Sequence, residues 1–321
     1  MAKLDGLSVV ITGASSGIGR ETALAFAREG ASLTLGARRG KQLAAVARQC
    51  EREGGRAQYL ETDVTNALAT KSLAQAAARC YGHLDLWVNN AGVGAVGRFT
   101  DIPIEAHDQV IRTNLIGYIH GAHAALPYFQ AQHHGTLVNV VSFGAFVGTP
   151  FGTSYTASKW GLRGLGESLR AELQDEPDIH ICDINPGFVD TPGVAHAGNY
   201  TGHRFNVTVP DKPQEVADAI VRLATKPRNS VSVGMTAKLS PIAYALAPGL
   251  SRWVMYKMLG TAIARANPQA PSDGALFKPG SNGGLSQPMS ITFPKTLVAG
   301  LGTAALLGLA AVLTRRRRPD A

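Results

Sequence analysis

The chain has 321 residues, enough for one large domain with a full hydrophobic core and additional segments. Its three cysteines, Cys50, Cys80 and Cys182, are too few and too scattered to predict a disulfide framework or a metal site. Residues 294–321 hold five basic residues and one acidic residue, a net +4 of the total +8. Charge clustered at one end does not predict a nucleic-acid-binding face, which would show a basic stripe with base-reading side chains.

Short β-branched or apolar runs alternate with longer helical patterns over roughly the first 235 residues. This alternation is typical of a parallel sheet with helices on both faces. Seven strands are predicted, at 8–12, 32–35, 57–62, 84–88, 136–141, 179–184 and 231–233. Helices are predicted at 17–28, 41–52, 67–81, 106–130, 154–174 and 213–225. The sequence therefore predicts an α/β fold with a doubly wound, seven-stranded parallel sheet in a catalytic domain at residues 1–238.

The first strand runs directly into a glycine-rich turn, which then opens a helix. The residues of this turn predicted to bind a cofactor are Gly13, Ser15, Ser16, Gly17, Ile18 and Gly19. Glycines leave room for a pyrophosphate against backbone N–H groups, where the helix dipole favours negative charge. The pattern therefore predicts a dinucleotide site.

The second predicted strand ends without the acidic residue that would bind a ribose 2′-hydroxyl. Arg38 and Arg39 follow instead, and a guanidinium can pair with a 2′-phosphate through two parallel hydrogen bonds. We therefore expect NADP(H) in preference to NAD(H). A solvated basic start to the second helix is the alternative interpretation.

Tyr155 and Lys159 are four residues apart and share one face of a predicted helix. A free phenol has a pKa of about 10, and a nearby ammonium lowers it by favouring the phenolate. This pair therefore predicts an acid/base group, with Ser142, at the end of a strand, orienting a substrate oxygen. The alternative is an exposed helix pair without a function.

Taken in order, these motifs resemble those of the classical short-chain dehydrogenase/reductase family over residues 5–235. The turn at 12–19 resembles the family's TGxxxGIG sequence, and 89–92 its NNAG stretch. The resemblance implies a Rossmann-type fold and pairing of copies into a homodimer or homotetramer through helices 106–130 and 154–174. It also implies a catalytic tetrad of Asn114, Ser142, Tyr155 and Lys159. Further cofactor-binding residues implied by it are Asp63, Val64, Asn90, Ala91, Gly92, Tyr155, Lys159, Pro186, Gly187, Val189 and Thr191.

In such a site the resemblance gives Lys159 a contact to the nicotinamide ribose and Asn114 a place in a water-linked proton relay. Residues 63–64 would lie beside the adenine ring, and the segment that begins at Pro186 would border the nicotinamide. The loop at 193–209 is expected to close over the substrate, with Tyr200 and Phe205 able to contact an apolar ligand.

The C-terminal quarter has a different pattern. Residues 239–266 have approximate helical apolar spacing with interspersed basic residues, which predicts either a core-packing helix or substrate lid, or a helix docked on a membrane. Residues 267–294 are rich in proline and glycine and predict a flexible linker.

Residues 296–314 are uncharged, and as a helix they would span about 28 Å. We therefore expect a single transmembrane helix with a basic end at 295–318, in contact with membrane lipid, and a cytoplasmic catalytic domain. A buried or interfacial helix is the alternative. The four arginines at 315–318 conflict with this orientation under the positive-inside rule, so the orientation stays open.

Together these features predict an NADP(H)-dependent enzyme that interconverts a carbonyl and an alcohol on a small lipophilic substrate. Lipophilicity is inferred from the tail and from the apolar residues of 239–266. The alternatives are a non-catalytic NADP(H)-binding module at a membrane, or a membrane scaffold that pairs through the small residues 300, 304 and 308.

Overall fold

The computed structural model describes residues 4–189, 196–204 and 211–280. In these residues one sheet holds seven parallel strands, in the order β3-β2-β1-β4-β6-β7-β9. Its strands are β1 (Ser8–Thr12), β2 (Ser32–Ala37), β3 (Arg56–Glu61), β4 (Leu86–Asn89), β6 (Gly135–Val140), β7 (Ile179–Pro186) and β9 (Ser230–Val233). Two short strands, β5 (Ala95–Val96) and β8 (Gly198–Asn199), pair with each other outside it. The predicted seven-stranded parallel sheet is confirmed, with each predicted bound within two residues of the observed one.

Helices cover both faces of the sheet. They are α1 (Gly17–Arg28), α2 (Gly40–Arg52), α3 (Ala67–Tyr81), α4 (Ile104–Ile111), α5 (Gly117–Gln132), α6 (Thr153–Glu172) and α7 (Pro213–Leu223). Apolar residues of α1, α2 and α7 form one buried cluster with the sheet, and those of α3, α5 and the end of α6 form another on the opposite face. Because both faces are covered, the central strands are almost continuously apolar, as β1 is.

The direction of chain progression across the sheet reverses between β1 and β4, which are hydrogen-bonded neighbours. The loop after β1 and the loop after β4 therefore run to opposite sides. A crevice forms between them at the carboxyl ends of the strands, where ligands of doubly wound sheets bind.

The predicted helix at 106–130 is divided in the structure. A π-helical segment, Arg112–Ile116, lies between α4 and α5 and carries the buried Asn114. A π-helical turn inserts one residue into the helical repeat, so apolar periodicity does not reveal it, and such segments are frequent at functional sites.

A chain of buried polar groups crosses the middle of the sheet. Trp87 Nε1 donates to Asn89 Oδ1 (2.7 Å), and Asn89 Nδ2 donates to Asn139 Oδ1 (3.1 Å). Asn139 Nδ2 in turn donates to Asp183 Oδ1 (3.1 Å), whose other oxygen accepts from Arg170. The paired positions Asn89, Asn139 and Asp183 lie side by side on three adjacent strands. These bonds therefore stabilise the register of β4, β6 and β7.

The predicted extension at 239–266 forms two helices, α8 (Met235–Leu246) and α9 (Pro248–Ala264). The helical path is interrupted before Pro248, whereas Pro241 lies inside α8. Because α8 begins at Met235, the predicted domain boundary after residue 238 falls within a helix. Met255, Met258 and Leu259 of α9 pack with Phe143 beside the crevice. The two helices thus belong to the same body as the sheet.

A flexible linker is predicted at 267–294, but the first part of this range makes ordered contacts with the domain. Residues 268 and 272 form bridges with residues 203 and 199, and Leu276 is fully buried. The prolines and glycines of this part therefore belong to a segment that packs closely against the domain. Residues 281–294 lie outside the described residues.

The expectation of a membrane-associated protein is corrected. None of the helices in the described residues has the length and hydropathy needed to cross a bilayer. The helix predicted at 295–318 lies outside the described residues. Its many alanines and glycines make this segment only moderately apolar. The absence of charge therefore overstated its tendency to span a membrane.

The polar chain in the sheet gives a test of stability. We expect Asn139→Leu to lower the free energy of unfolding by about 2–4 kcal/mol, because buried polar atoms of its neighbours lose partners. Urea denaturation measures the change, and Asn229→Leu, at an exposed position, is the matched control. Equal stability of the two variants would contradict the importance given to this chain of bonds.

Candidate functional site

A cleft of about 410 Å³ opens at the crevice between β1 and β4. The predicted site residues that line it are Gly13, Ser15, Ser16, Gly17, Ile18, Arg38, Arg39, Asp63, Val64, Asn90, Ala91, Gly92, Ser142, Tyr155, Lys159, Pro186, Gly187 and Val189. Gly19 and Asn114 lie behind its wall, and Thr191 is outside the described residues. One cleft therefore brings together nearly all residues selected from the sequence.

The glycine turn forms one end of the cleft. Gly13 has φ +66°, and a Cβ there would lie 2.8 Å from the Ala91 Cα. A Cβ on Gly19 would lie 2.5 Å from Asn90 Nδ2, which donates to the Thr12 carbonyl oxygen (2.9 Å). The turn and the loop after β4 therefore touch so closely that only glycine fits.

Helix α1 begins immediately beyond this turn, at Gly17, with Ser16 as its N-cap. The Ser16 side chain makes no capping hydrogen bond to the helix. The first N–H groups of a helix lack partners within the helix, so they attract an anion. A pyrophosphate fits this end of the cleft by chemistry and by space.

The two arginines after β2 have different partners. Arg39 donates to Ser15 Oγ (3.0 Å from Nη2) and to Ser16 Oγ (2.6 Å). Partial burial lowers the pKa of Arg39, and the nearby charge of Arg38 acts in the same direction. Arg38 instead donates to main-chain carbonyl oxygens of residues 275–277. Local sequence patterns do not predict the Arg38 contacts, because the partners of Arg38 lie 237–239 residues further along the chain.

Tyr155 and Ser142 meet at the other end of the cleft. Tyr155 is partly exposed there, and desolvation of its phenol raises its pKa, while a hydrogen bond with Ser142 acts in the opposite direction. The sequence predicted a pKa lowered by Lys159. The structure differs because removal from water outweighs the other effects on this phenol.

Lys159 is almost fully buried beside Tyr155. Its Nζ donates to the Val140 carbonyl oxygen (2.9 Å) and lies 5.6 Å from the centroid of the Tyr155 ring. Burial lowers the pKa of Lys159 to about 7. The ammonium is therefore close to its titration point at neutral pH.

Asn114 does not reach the cleft. Its Oδ1 accepts from Val93 N (2.8 Å), and its Nδ2 donates to the Val93 carbonyl oxygen (2.9 Å). The side-chain amide thus fixes the loop that follows residues 89–92, and the π-helical segment places it there. The water-linked proton relay at Asn114 stays a prediction.

Apolar side chains surround the Tyr155 end of the cleft, and sequence reasoning missed them. They are Val93, Phe143, Phe151, Phe188 and Leu259. Phe151 has φ +64°, its ring stacks on Tyr256 of α9 with centroids 5.8 Å apart, and its carbonyl accepts from Gly97 N. The only signal for this wall was the apolar spacing of 239–266.

Tyr200, expected to contact a ligand, does not line the cleft. It is buried in a cluster with Ala95 and Leu276, and its hydroxyl donates to Asp273 Oδ1 (2.8 Å). Phe205 lies outside the described residues. Tyr200 therefore packs between the cleft rim and the C-terminal segment.

Comparison with known proteins finds similar chains. The family model described as short chain dehydrogenase matches residues 8–200. The uncharacterized oxidoreductase YxnA of Bacillus subtilis is 32% identical over 287 residues, which cover 87% of this chain and 80% of YxnA. An uncharacterized oxidoreductase of Staphylococcus haemolyticus is 33% identical over 227 residues, covering 71% of this chain and 94% of that protein.

A solved structure is similar in fold and sequence. The alcohol dehydrogenase of the archaeon Thermococcus sibiricus, in complex with 5-hydroxy-NADP, has a TM-score of 0.61 and 29% identity. The match covers 70% of this chain and 94% of that one.

The buried Lys159 predicts a pH dependence of stability. Its pKa is about 7 in the folded chain and ordinarily 10.5, so between these values the unfolded state binds more protons. The free energy of unfolding therefore rises with pH across that window, and the penalty for the buried charge is fully present below pH 7. We expect Lys159→Met to be more stable than wild type below pH 7, with a gain that shrinks toward pH 10.5.

Urea denaturation at several pH values measures this difference. Lys71→Met, at an exposed position of α3, is the control and should show no such trend. A difference between Lys159→Met and wild type that is the same at every pH would show that the lysine is not buried as described.

Proposed function

This chain is an oxidoreductase of the short-chain dehydrogenase family, and we propose that it interconverts a carbonyl and an alcohol on a lipophilic substrate with NADP(H). The observation that carries the proposal is the meeting of Tyr155, Ser142 and Lys159 in the same cleft as the glycine turn. An acid/base group and a phosphate-binding turn are then separated by one continuous space. A bound dinucleotide would supply the hydride that reduces a carbonyl carbon, or accept one from an alcohol carbon.

Tyr155 acts as the general acid/base. In reduction its hydroxyl proton passes to the substrate oxygen, and in oxidation the phenolate takes the proton of the alcohol. Ser142, already hydrogen-bonded to this phenol, orients the substrate oxygen toward it. Lys159 in its charged form would favour the phenolate electrostatically, since its Nζ lies beside the Tyr155 ring. We also assign it the contact to the nicotinamide ribose.

The dinucleotide would lie along the cleft from Arg39 to Lys159. The helix α1 N-terminus would hold the pyrophosphate, and residues 186–189 would border the nicotinamide. Arg39, Ser15 and Ser16 form a polar cluster suited to the 2′-phosphate, since a guanidinium and two hydroxyls all bond to phosphate oxygens. The solved relative with bound 5-hydroxy-NADP supports this choice of dinucleotide.

A lipophilic substrate is supported by the wall around Tyr155. In the described residues the charged side chains that line the cleft are Arg38, Arg39, Asp63 and Lys159. Lys159 already bonds to Val140, so the wall of phenylalanines and Leu259 offers no charged partner to a substrate. A charged substrate would lose hydration there without compensation.

The role of Tyr155 can be tested by Tyr155→Phe. We expect kcat for the NADPH-dependent reduction of decanal or acetophenone to fall by about 10²–10⁴-fold, because the proton donor is removed. Affinity for NADPH should change little. Steady-state kinetics and fluorescence titration measure the two, with the exposed Tyr59→Phe as control.

Full turnover in Tyr155→Phe would end this mechanism. Tight NADPH binding by wild type, without turnover of any aldehyde, ketone or alcohol, would favour a non-catalytic dinucleotide-binding protein instead.

The apolar wall predicts a dependence on substrate size. We expect Leu259→Trp to lower kcat/KM for decanal by about tenfold more than for propanal, because the larger ring fills space that a long chain needs. The change is read from kinetics on both aldehydes. Leu250→Trp, on the exposed side of the same helix, should leave the ratio unchanged. An unaltered ratio in Leu259→Trp would place the substrate elsewhere.

A further inference from the structure

Residues 267–280 form a segment that we call the C-terminal strap. It runs antiparallel to residues 199–203, with hydrogen bonds from Asn199 N to Ser272 O (2.8 Å) and from Ser272 N to Asn199 O (2.9 Å). Residues 198–199 are strand β8, which pairs with β5 near the cleft rim. The strap is therefore attached to the side of the cleft that also carries the apolar wall.

Three features hold the strap in this path. Leu276 is fully buried against Ala95 and Tyr200, and the Tyr200 hydroxyl donates to Asp273. Gly274 has φ +54°, and a Cβ there would lie 2.4 Å from the His196 carbonyl oxygen. Only glycine fits this position without moving the strap away from residues 196–197.

The strap reaches across the cleft to Arg38. Nη2 of this guanidinium donates to the Ala275 carbonyl oxygen (2.6 Å), and Nη1 donates to those of Leu276 (3.1 Å) and Phe277 (3.4 Å). Ala275, like Arg38, lines the cleft, and so do residues 279 and 280. Both terminal nitrogens of the guanidinium are thus directed at the strap.

These terminal nitrogens are the groups that a 2′-phosphate would use. A phosphate is charged, so its bonds to a guanidinium join opposite charges and can form in parallel pairs, which a neutral carbonyl oxygen does not offer. NAD(H) lacks this phosphate and leaves the bonds between Arg38 and the strap intact. Binding of NADP(H) would therefore require the strap to release Arg38, whereas binding of NAD(H) would not.

Resting on the NADP(H) function proposed above, we infer that the strap and the 2′-phosphate compete for Arg38. Arg39 binds the phosphate from the glycine turn, and Arg38 joins it only when the strap carbonyls release it. The apparent affinity for NADP(H) is then lowered by the fraction of molecules in which the strap holds Arg38. Because coupling is reciprocal, NADP(H) must loosen the strap by the same factor. The strap thereby weakens the preference of the protein for NADP(H) over NAD(H).

Hydrogen exchange on the wild-type protein tests the inference without any substitution. The amides of Ser272 and Ala275 bond to Asn199 O and His196 O and should be protected. We expect them to exchange faster when the protein is saturated with NADPH than when it is saturated with NADH. Equal or slower exchange with NADPH would overturn the competition.

A pair of glycine variants tests the same inference through affinity. Gly274→Ala should displace the strap and lower the Kd for NADPH by about three- to tenfold, with less than about a twofold change for NADH. Gly249→Ala, where a Cβ meets open space, is the control. Fluorescence titration gives both constants. An NADPH Kd that is unchanged or raised in Gly274→Ala would mean that the strap does not compete.

The two levels of the proposal fail differently. If neither wild type nor Gly274→Ala binds NADPH more tightly than NADH, the assignment of NADP(H) is wrong. If NADPH is preferred and neither the exchange nor the affinity responds to the strap, only the competition for Arg38 is wrong.

Discussion

The close contact between the glycine turn and the loop after β4 is the constraint on which the rest of the site depends. Asn90 donates to the Thr12 carbonyl oxygen from one strand end to the next, at a distance that excludes any side chain on Gly13 or Gly19. This contact joins the two loops where the sheet reverses direction. The two loops at this end of the cleft are therefore tied to each other at the carboxyl ends of β1 and β4.

Burial controls the chemistry of the opposite end. Lys159 is held by one carbonyl oxygen and surrounded by low-polarity groups, so its charge is only marginally stable at neutral pH. Desolvation also acts on Tyr155, where it raises the pKa of the phenol. Removal from water therefore disfavours the charged form of both side chains.

Much of the fold and of the site could be predicted because the signals are local. Strand and helix periods recur over a few residues, and the glycine turn and the Tyr155–Lys159 spacing are each read within one helical turn or loop. What could not be predicted depends on contacts between distant parts of the chain. The π-helical segment at Asn114 disturbs no apolar period, and the carbonyl oxygens that bind Arg38 carry no side-chain signature.

The segments after residue 266 also show why composition alone is a limited guide. Proline and glycine at 267–280 predict flexibility, yet Gly274 allows a close approach to residue 196 that any other residue would prevent. Similarly, residues 296–314 carry no charge, but their alanines and glycines give them only modest hydropathy, and a membrane span needs high hydropathy as well. Composition predicts the conformation of an isolated segment, whereas contacts with the rest of the domain determine its conformation in the fold.

The backbone of Phe151 has a consequence for how this cleft could change over time. A left-handed conformation at a residue with a bulky side chain costs on the order of 1–2 kcal/mol, which glycine would not incur. Glycine would also remove the ring that stacks on Tyr256 and closes the apolar wall. Glycine at this position would therefore relieve the backbone strain and at the same time open the apolar wall of the cleft.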